Sequence, residues 1–252
     1  MAEASGSSST AAAPLVLLIR HGETGGNASG RLQPPDEPLS TNGKRQARRL
    51  GEALKAAEAR GDFRVATILV SDLARTKETA AGLLQALGIE GRDVAQEPLL
   101  QERNFGDLRG QLYLDVRQRY GDFFAEGFAP PNGETWPDFR IRVKLAWSKV
   151  LAAAKGLDKQ RQPGKAEPAL VVVTHGLVLR AMVDAHFGAA GANSQGNFTN
   201  TSVTAVRITS GDEVTVERMN DASHLSSAVV GPDGVPRTDA DDAPPLDDPL
   251  LR

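Results

Sequence analysis

Short runs rich in β-branched residues or leucine recur along the chain at Leu15–Ile19, Ala66–Val70, Ala169–Thr174, Val203–Ile208 and Val214–Arg218. Runs of five or six such residues predict strands buried in a sheet. Between them the apolar positions change period. Ala47, Leu50, Leu54 and Ala57 fall at i, i+3, i+7 and i+10, and Phe139, Val143, Ala146 and Val150 form a second stripe at helical spacing. Thr135 is a candidate N-cap for the second helix, with Asp138 three residues on and Pro137 early in the first turn. Strands alternating with amphipathic helices predict an α/β fold, a three-layer α/β/α sandwich around a mostly parallel central sheet.

The periodicity stops at both ends. Residues 1–13 are mostly Ser, Ala, Gly and Thr, which predicts a disordered leader. From Gly231 onward, six aspartates stand among five prolines, a composition that cannot cover a core. The expected organisation is therefore a leader over 1–13, one folded domain over 14–225 and an acidic disordered tail over 226–252. A chain of 252 residues with 40% hydrophobic content can build one large core.

Charge and cysteine content narrow the function. A formal net charge of −3 leaves no basic footprint for nucleic acid or an anionic membrane. The absence of cysteine excludes disulfides, thiolate metal sites and a cysteine nucleophile, and it fits a reducing, cytoplasmic setting. The first apolar run is five residues long with no Lys or Arg before it, so neither a signal peptide nor a membrane span is expected.

Two of the predicted strands end alike. Leu15–Ile19 runs into Arg20-His21-Gly22, and Leu170–Val173 runs into Thr174-His175-Gly176. Open α/β sheets hold ligands at the carboxyl ends of their strands, so neighbouring positions for these two would make the imidazoles converge. The run from Leu177 to Val183 reads as a helix, whose first N–H groups would face the site as an anion prefers.

The segment Arg20-His21-Gly22-Glu23-Thr24, with Asn27 three further on, resembles the signature of the histidine phosphatase superfamily, the phosphoglycerate mutase-like proteins. Further matches follow in the family's order. They are Pro38-Leu39-Ser40, Ser71-Asp72-Leu73-Ala74-Arg75-Thr76, Glu102-Arg103-Asn104-Phe105-Gly106, Asn132-Gly133-Glu134-Thr135, Thr174-His175-Gly176, and Asn220 with His224-Leu225. The resemblance implies a covalent phosphohistidine mechanism with His21 as nucleophile and Glu102 as general acid. In it Arg20 and Arg75 clamp the phosphate oxygens while His175 donates to them. Gly22, Thr24, Asn27, Arg103 and Gly176 are the implied phosphate or substrate contacts. The chemistry suits these residue types: a phosphomonoester carries nearly two negative charges, and guanidinium forks offset them bidentately without a metal or other cofactor. The implied partner is a small phosphorylated substrate.

Arg75 carries an argument of its own, because it falls in what reads as the first helical turn after Asp72, where the helix dipole disfavours a cation. Alone, a surface pair with Asp72 or Glu78 would account for it; beside His21 and His175, an anion is expected. His186 reads as a packing or surface residue and His224 as a cap on the end of the fold. Phe123, Phe124 and Phe128 read as packing rather than as an aromatic lid.

Within the resemblance, Glu23-Thr24-Gly25 after the first triplet and the lack of cysteine point to the intracellular branch. The stretch from Gln111 to Pro168 is compact, and Arg117 and Arg119 are separated by Gln118, where the cofactor-dependent mutases carry paired arginines. The expectation is a phosphatase, with a phosphoglycerate mutase as the second reading and a catalytically silent phospho-ligand binder as the third.

Overall fold

The structure, a computed structural model, describes residues 13–92, 94–189, 197–209, 211–226, 229–230 and 236–237. Its principal strands are β1 (Leu15–Arg20), β2 (Arg64–Val70), β3 (Ala95–Gln96), β4 (Pro168–Thr174), β5 (Val203–Ile208) and β6 (Val214–Asp221). Its principal helices are α1 (Gly25–Ser29), α2 (Thr41–Arg60), α3 (Ala74–Leu87), α4 (Tyr113–Tyr120), α5 (Trp136–Gly156) and α6 (Gly176–His186).

The six strands form one mixed sheet in the order β3-β2-β4-β1-β5-β6. From β3 to β1 neighbouring strands run parallel, and β5 and β6 complete the edge antiparallel. Successive side chains of a strand face opposite sides of the sheet. Val16, Leu18, Leu170 and Val172 meet α5 and α6 on one face, while Leu15, Leu17, Ile19, Val171 and Val173 meet α2 and α3 on the other. All seven residues of β4 are buried, as befits a strand with helices on both sides. Each fully buried Leu, Val or Phe in these layers contributes about 1.5–3 kcal/mol.

Both predicted apolar stripes lie buried, Ala47 to Ala57 on α2 and Phe139 to Val150 on α5. Thr135 caps α5 by accepting from the N–H of Asp138 at 3.2 Å, with Pro137 in the first turn. The short edge strand β3, with both residues exposed, has no apolar pattern to announce it.

Most of the leader and tail lies outside the described residues. Within the expected tail, Val229–Val230 pairs antiparallel with Pro236–Arg237. Among the described residues no helix is long and apolar enough to cross a membrane.

Strand register decides what the helices cannot. Arg20 of β1 stands opposite Thr174 of β4, and Val70 of β2 opposite Val173. His21 and His175 each follow by one residue, and Ser71, the residue after Val70, leaves β2 one row before them. The β1–β4 register therefore puts both histidines at one end of the two central strands.

Candidate active site

The rings of His21 and His175 lie 5.1 Å apart between centroids, inclined at 59°, and both residues are buried. The N–H of His21 extends the sheet by donating to Thr174 O at 2.9 Å. Its ring Nδ1 lies 2.7 Å from Gly22 O. A carbonyl only accepts, so Nδ1 carries the proton and Nε2 keeps its lone pair. Burial, reinforced by the Arg75 and Arg20 charges, holds the His21 pKa well below the ordinary value, so the ring is neutral.

Behind His21 a tight turn grips the backbone. Thr201 N–H donates to Arg20 O at 3.0 Å and more weakly to His21 O, and Asn200 Nδ2 donates to His21 O at 2.9 Å. Thr201 holds φ at 59°, a conformation that is strained for a β-branched residue. Its hydroxyl is bonded to Asn200 O at 2.7 Å and lies 3.0 Å from His224 Nε2. His224 thus closes the fold directly behind the turn.

His175 occupies the N-cap position of α6. Its Nε2 lies 3.0 Å from Ser71 Oγ, and among the described residues that buried hydroxyl has no other acceptor in reach, so the serine proton is assigned to His175. Nδ1 then carries the ring's hydrogen, and it is buried without a partner. Burial and the Arg75 charge keep this ring neutral as well.

Arg75 sits in the first turn of α3, where the sequence places it, but it is not a surface residue. Only 2% of it is exposed, and Nη1 donates to Pro34 O at 3.1 Å while Nε is buried without a partner. The carboxylates that could have paired with it are engaged elsewhere. Asp72 accepts from Gln101 Nε2 at 2.7 Å, and Glu78 accepts from Leu39 N at 3.2 Å. Burial lowers the Arg75 pKa to about 10, with the Glu102 charge opposing, so the guanidinium stays protonated near neutrality. Arg20, which donates to Phe198 O, completes the cationic pair beside His21.

Glu102 lines the same pocket as Arg20, His21 and Arg75. Burial pushes its pKa up, while hydrogen bonds from Arg103 N at 3.0 Å and Leu177 N at 3.2 Å pull the other way. The first turn of α6 does meet an acceptor, as its sequence predicts, but the acceptor for Leu177 is the Glu102 carboxylate. Arg142 of α5 braces the loop: it pairs with Glu134 at 2.7 Å and donates to Leu99 O and Gln101 O.

The other expected contacts divide. Asn27, Arg103 and Gly176 line the pocket. Arg103 is largely consumed by structure, since Nε donates to Glu134 O and Nη2 to Phe128 O, with the guanidinium 4.0 Å from the centre of the Trp136 ring. Gly22 and Thr24 are each engaged by the loop that follows His21. A Cβ on Gly22 would come within 2.7 Å of Gly43 O, so this glycine lets α2 pack against the loop. Thr24 is the N-cap of α1, locked in a capping box with Asn27. Phe123 is buried as packing, whereas Phe124 reaches the pocket. His186 stacks on Trp147 with centroids 5.0 Å apart.

Sequence reasoning missed Ser71, Asn200, Thr201 and Arg142 as supports. Ser71 stood within a matched motif and could have been flagged as a strand end; the other three are ordinary polar residues whose partners are distant in sequence.

Paired neutral imidazoles at adjacent strand ends, flanked by the buried Arg75, the half-buried Arg20 and a carboxyl with a raised pKa, have the chemistry that phosphoryl transfer needs. Residues 16–222 match the family model described as histidine phosphatase superfamily (branch 1), and the chain belongs to that superfamily. It is 30% identical over 220 residues to the metal-independent phosphoserine phosphatase of Arabidopsis thaliana, spanning 84% of this chain and 83% of that protein. A 2,3-bisphosphoglycerate-dependent phosphoglycerate mutase of Bartonella henselae is 29% identical over 175 residues, 67% of this chain and 79% of that one. The solved structure of Bacillus stearothermophilus YhfR superposes with a TM-score of 0.65 at 29% identity, covering 83% of this chain and 98% of its own.

Proposed function

We propose that this protein hydrolyses a small phosphomonoester through a phosphohistidine formed on His21. The observation that carries the reading is the pair of neutral rings 5.1 Å apart, one with a free Nε2 lone pair and the other with an unpartnered Nδ1–H. His21 Nε2 attacks phosphorus, the P–O ester bond breaks, and the departing alkoxide takes a proton from Glu102. Arg20, Arg75 and His175 Nδ1–H bear on the equatorial oxygens, where charge is highest. A water then attacks the phosphoryl group and returns its proton to Glu102 as the P–N bond breaks. No step draws on a metal or other cofactor.

Mutase activity would use the same first step and deliver the phosphoryl group to a second substrate oxygen. Hydrolysis is favoured because Arg117 and Arg119 lie exposed on α4 and neither lines the pocket. A purely binding role is disfavoured by the presence of Arg20, His21, Arg75, Glu102 and His175 together. The cysteine-free composition supports a cytoplasmic setting, and the acidic net charge gives no reason to invoke nucleic acid.

The test is phosphate release from a panel of phosphomonoesters in excess chelator, with His21→Ala as control. Release by the parent protein alone is the expected result. Loss of activity in chelator with recovery on adding magnesium would refute the mechanism. Conversion of 3-phosphoglycerate to its 2-isomer without release would establish the mutase reading, and silence in both assays the binding role.

A further inference from the structure

Beyond His21 the pocket has a wall that the phosphoryl chemistry does not require. Leu32, Phe105, Tyr113 and Phe124 line it on one side. They belong to a small separate core with Leu108, Val116 and Phe123. The rings brace one another: Phe124 lies 4.4 Å from Phe123 and 5.9 Å edge-on from Phe105, and Tyr113 lies 5.9 Å from Phe123. A wall of interlocked aromatics is preformed, so it favours a flat or apolar ligand body without first having to be ordered.

The pocket also holds more positive charge than one phosphoryl group needs. Five arginines line it against a single carboxyl, Glu102. Arg20 and Arg75 flank His21. Arg103 gives Nε and Nη2 to backbone carbonyls and faces Glu134 and Glu102 with its charge, although Nη1 is left without a partner, and Arg180 faces Asp184 at 3.7 Å. Arg109 is different. It is half-buried in the pocket wall, none of the described acids pairs with it, and its charge reaches Arg75.

Its backbone is fixed. Arg109 N donates to Gly106 O at 3.2 Å, closing a 3-10 turn over Gly106–Leu108, and Gly110, at φ 82°, donates to Leu32 O. A partly desolvated guanidinium on a rigid loop costs stability unless an anion repays it.

We propose that the substrate is a phosphomonoester whose alcohol portion has an aromatic or extended apolar body and a second anionic group, with the body on the Phe105–Tyr113–Phe124 wall and the anion on Arg109. This deepens, and rests on, the hydrolase reading of the same pocket. A carboxylate and a second phosphate share the required chemistry.

The experiment compares kcat/KM for phenyl phosphate, its meta- and para-carboxylated forms, phenylene bisphosphate and phosphoserine, using the parent protein and Arg109→Gln. The same esters are titrated calorimetrically into His21→Ala, with and without Arg109→Gln. The expected result is a preference of about tenfold or more for an anion-bearing aryl ester over phenyl phosphate, the scale of one charge-assisted hydrogen bond, that collapses in Arg109→Gln. Whichever arm keeps the preference, carboxylate or phosphate, names the anion. A preference for phosphoserine over every aryl ester, or a ratio that Arg109→Gln leaves unchanged, would overturn the proposal. If turnover is absent but Arg109-dependent binding persists, the hydrolase reading fails while the ligand class stands.

Discussion

His21 and His175 follow neighbouring parallel strands in nearly the same sequence, yet the fold gives their rings opposite hydrogen-bond partners, and the proposed mechanism gives them opposite tasks. His21 gives its ring hydrogen to the adjacent Gly22 carbonyl and keeps a lone pair at Nε2. His175 takes a hydrogen bond from Ser71, just past the end of a third strand, and keeps an N–H at Nδ1. The difference lies in the partner of the far nitrogen: an acceptor behind the ring makes a nucleophile, a donor behind it makes an electrophile. Both rings must be neutral for this to work, and the same burial and the same arginines secure that.

Removing each ring in turn should have the largest effect and tests the asymmetry most directly. His21→Ala is expected to lower kcat by about 10⁴–10⁶-fold, as deletion of a nucleophile does, and His175→Ala by about 10²–10³-fold, as loss of one charge-stabilising donor does. Rapid-quench trapping with a radiolabelled substrate should find an acid-labile phosphoryl group in His175→Ala and none in His21→Ala. Label retained in His21→Ala would reverse the two roles.

Next comes Glu102. Glu102→Gln should slow hydrolysis of alkyl phosphates by about 10²–10⁴-fold, and far less for a nitrophenyl ester whose leaving group needs no proton. Because the acid form is the working one, kcat/KM of the parent should fall as pH rises through the elevated Glu102 pKa. An alkaline limb that persists unchanged in the glutamine variant would assign it to another group.

Ser71→Ala probes the His175 side alone. It removes the donor that fixes the tautomer, so a drop in kcat of about tenfold with little change in KM is expected, whereas Ser71→Thr should retain most of the rate. A fall in KM affinity without loss of kcat would mean that Ser71 only shapes the pocket.

The smallest effect concerns stability. His21, His175 and His224 are less basic in the folded chain than in the unfolded one, His224 down to about 4. The unfolded chain therefore binds more protons below about pH 6.5, and stability should decline as pH falls from there towards about 4. Urea denaturation at pH 7 and pH 5 should show this decline, with a shallower slope in His224→Gln. Equal slopes would mean that His224 is already solvated.

Much of the scaffold was legible because its signals are local. The apolar runs located β1, β2, β4, β5 and the start of β6, and the helical stripes located α2 and α5 down to the Thr135 cap. Arg20-His21-Gly22 and Thr174-His175-Gly176 marked the strand ends because a histidine after a buried run, followed by glycine, is visible in three letters. What Gly22 and Thr24 do for the loop was not legible in the sequence, for a physical reason. A motif position near a nucleophile serves either the ligand or the loop, and only packing distinguishes a glycine pressed against Gly43 or a threonine closing a capping box.

What the sequence determined by itself was which elements form, which residue types reach the strand ends, and that these types suit phosphate. The tertiary structure decided the rest: the β1–β4 register that brings two rings to 5.1 Å, the Ser71 partner that sets the His175 tautomer, the burial of Arg75, and the placing of Arg109 in the pocket wall. The division follows chain distance. Strand propensity and helix capping act between residues a few positions apart, whereas Ser71 and His175 are 104 residues apart and Asn200 and His21 are 179 apart. Contacts between such distant residues exist only after the sheet has assembled.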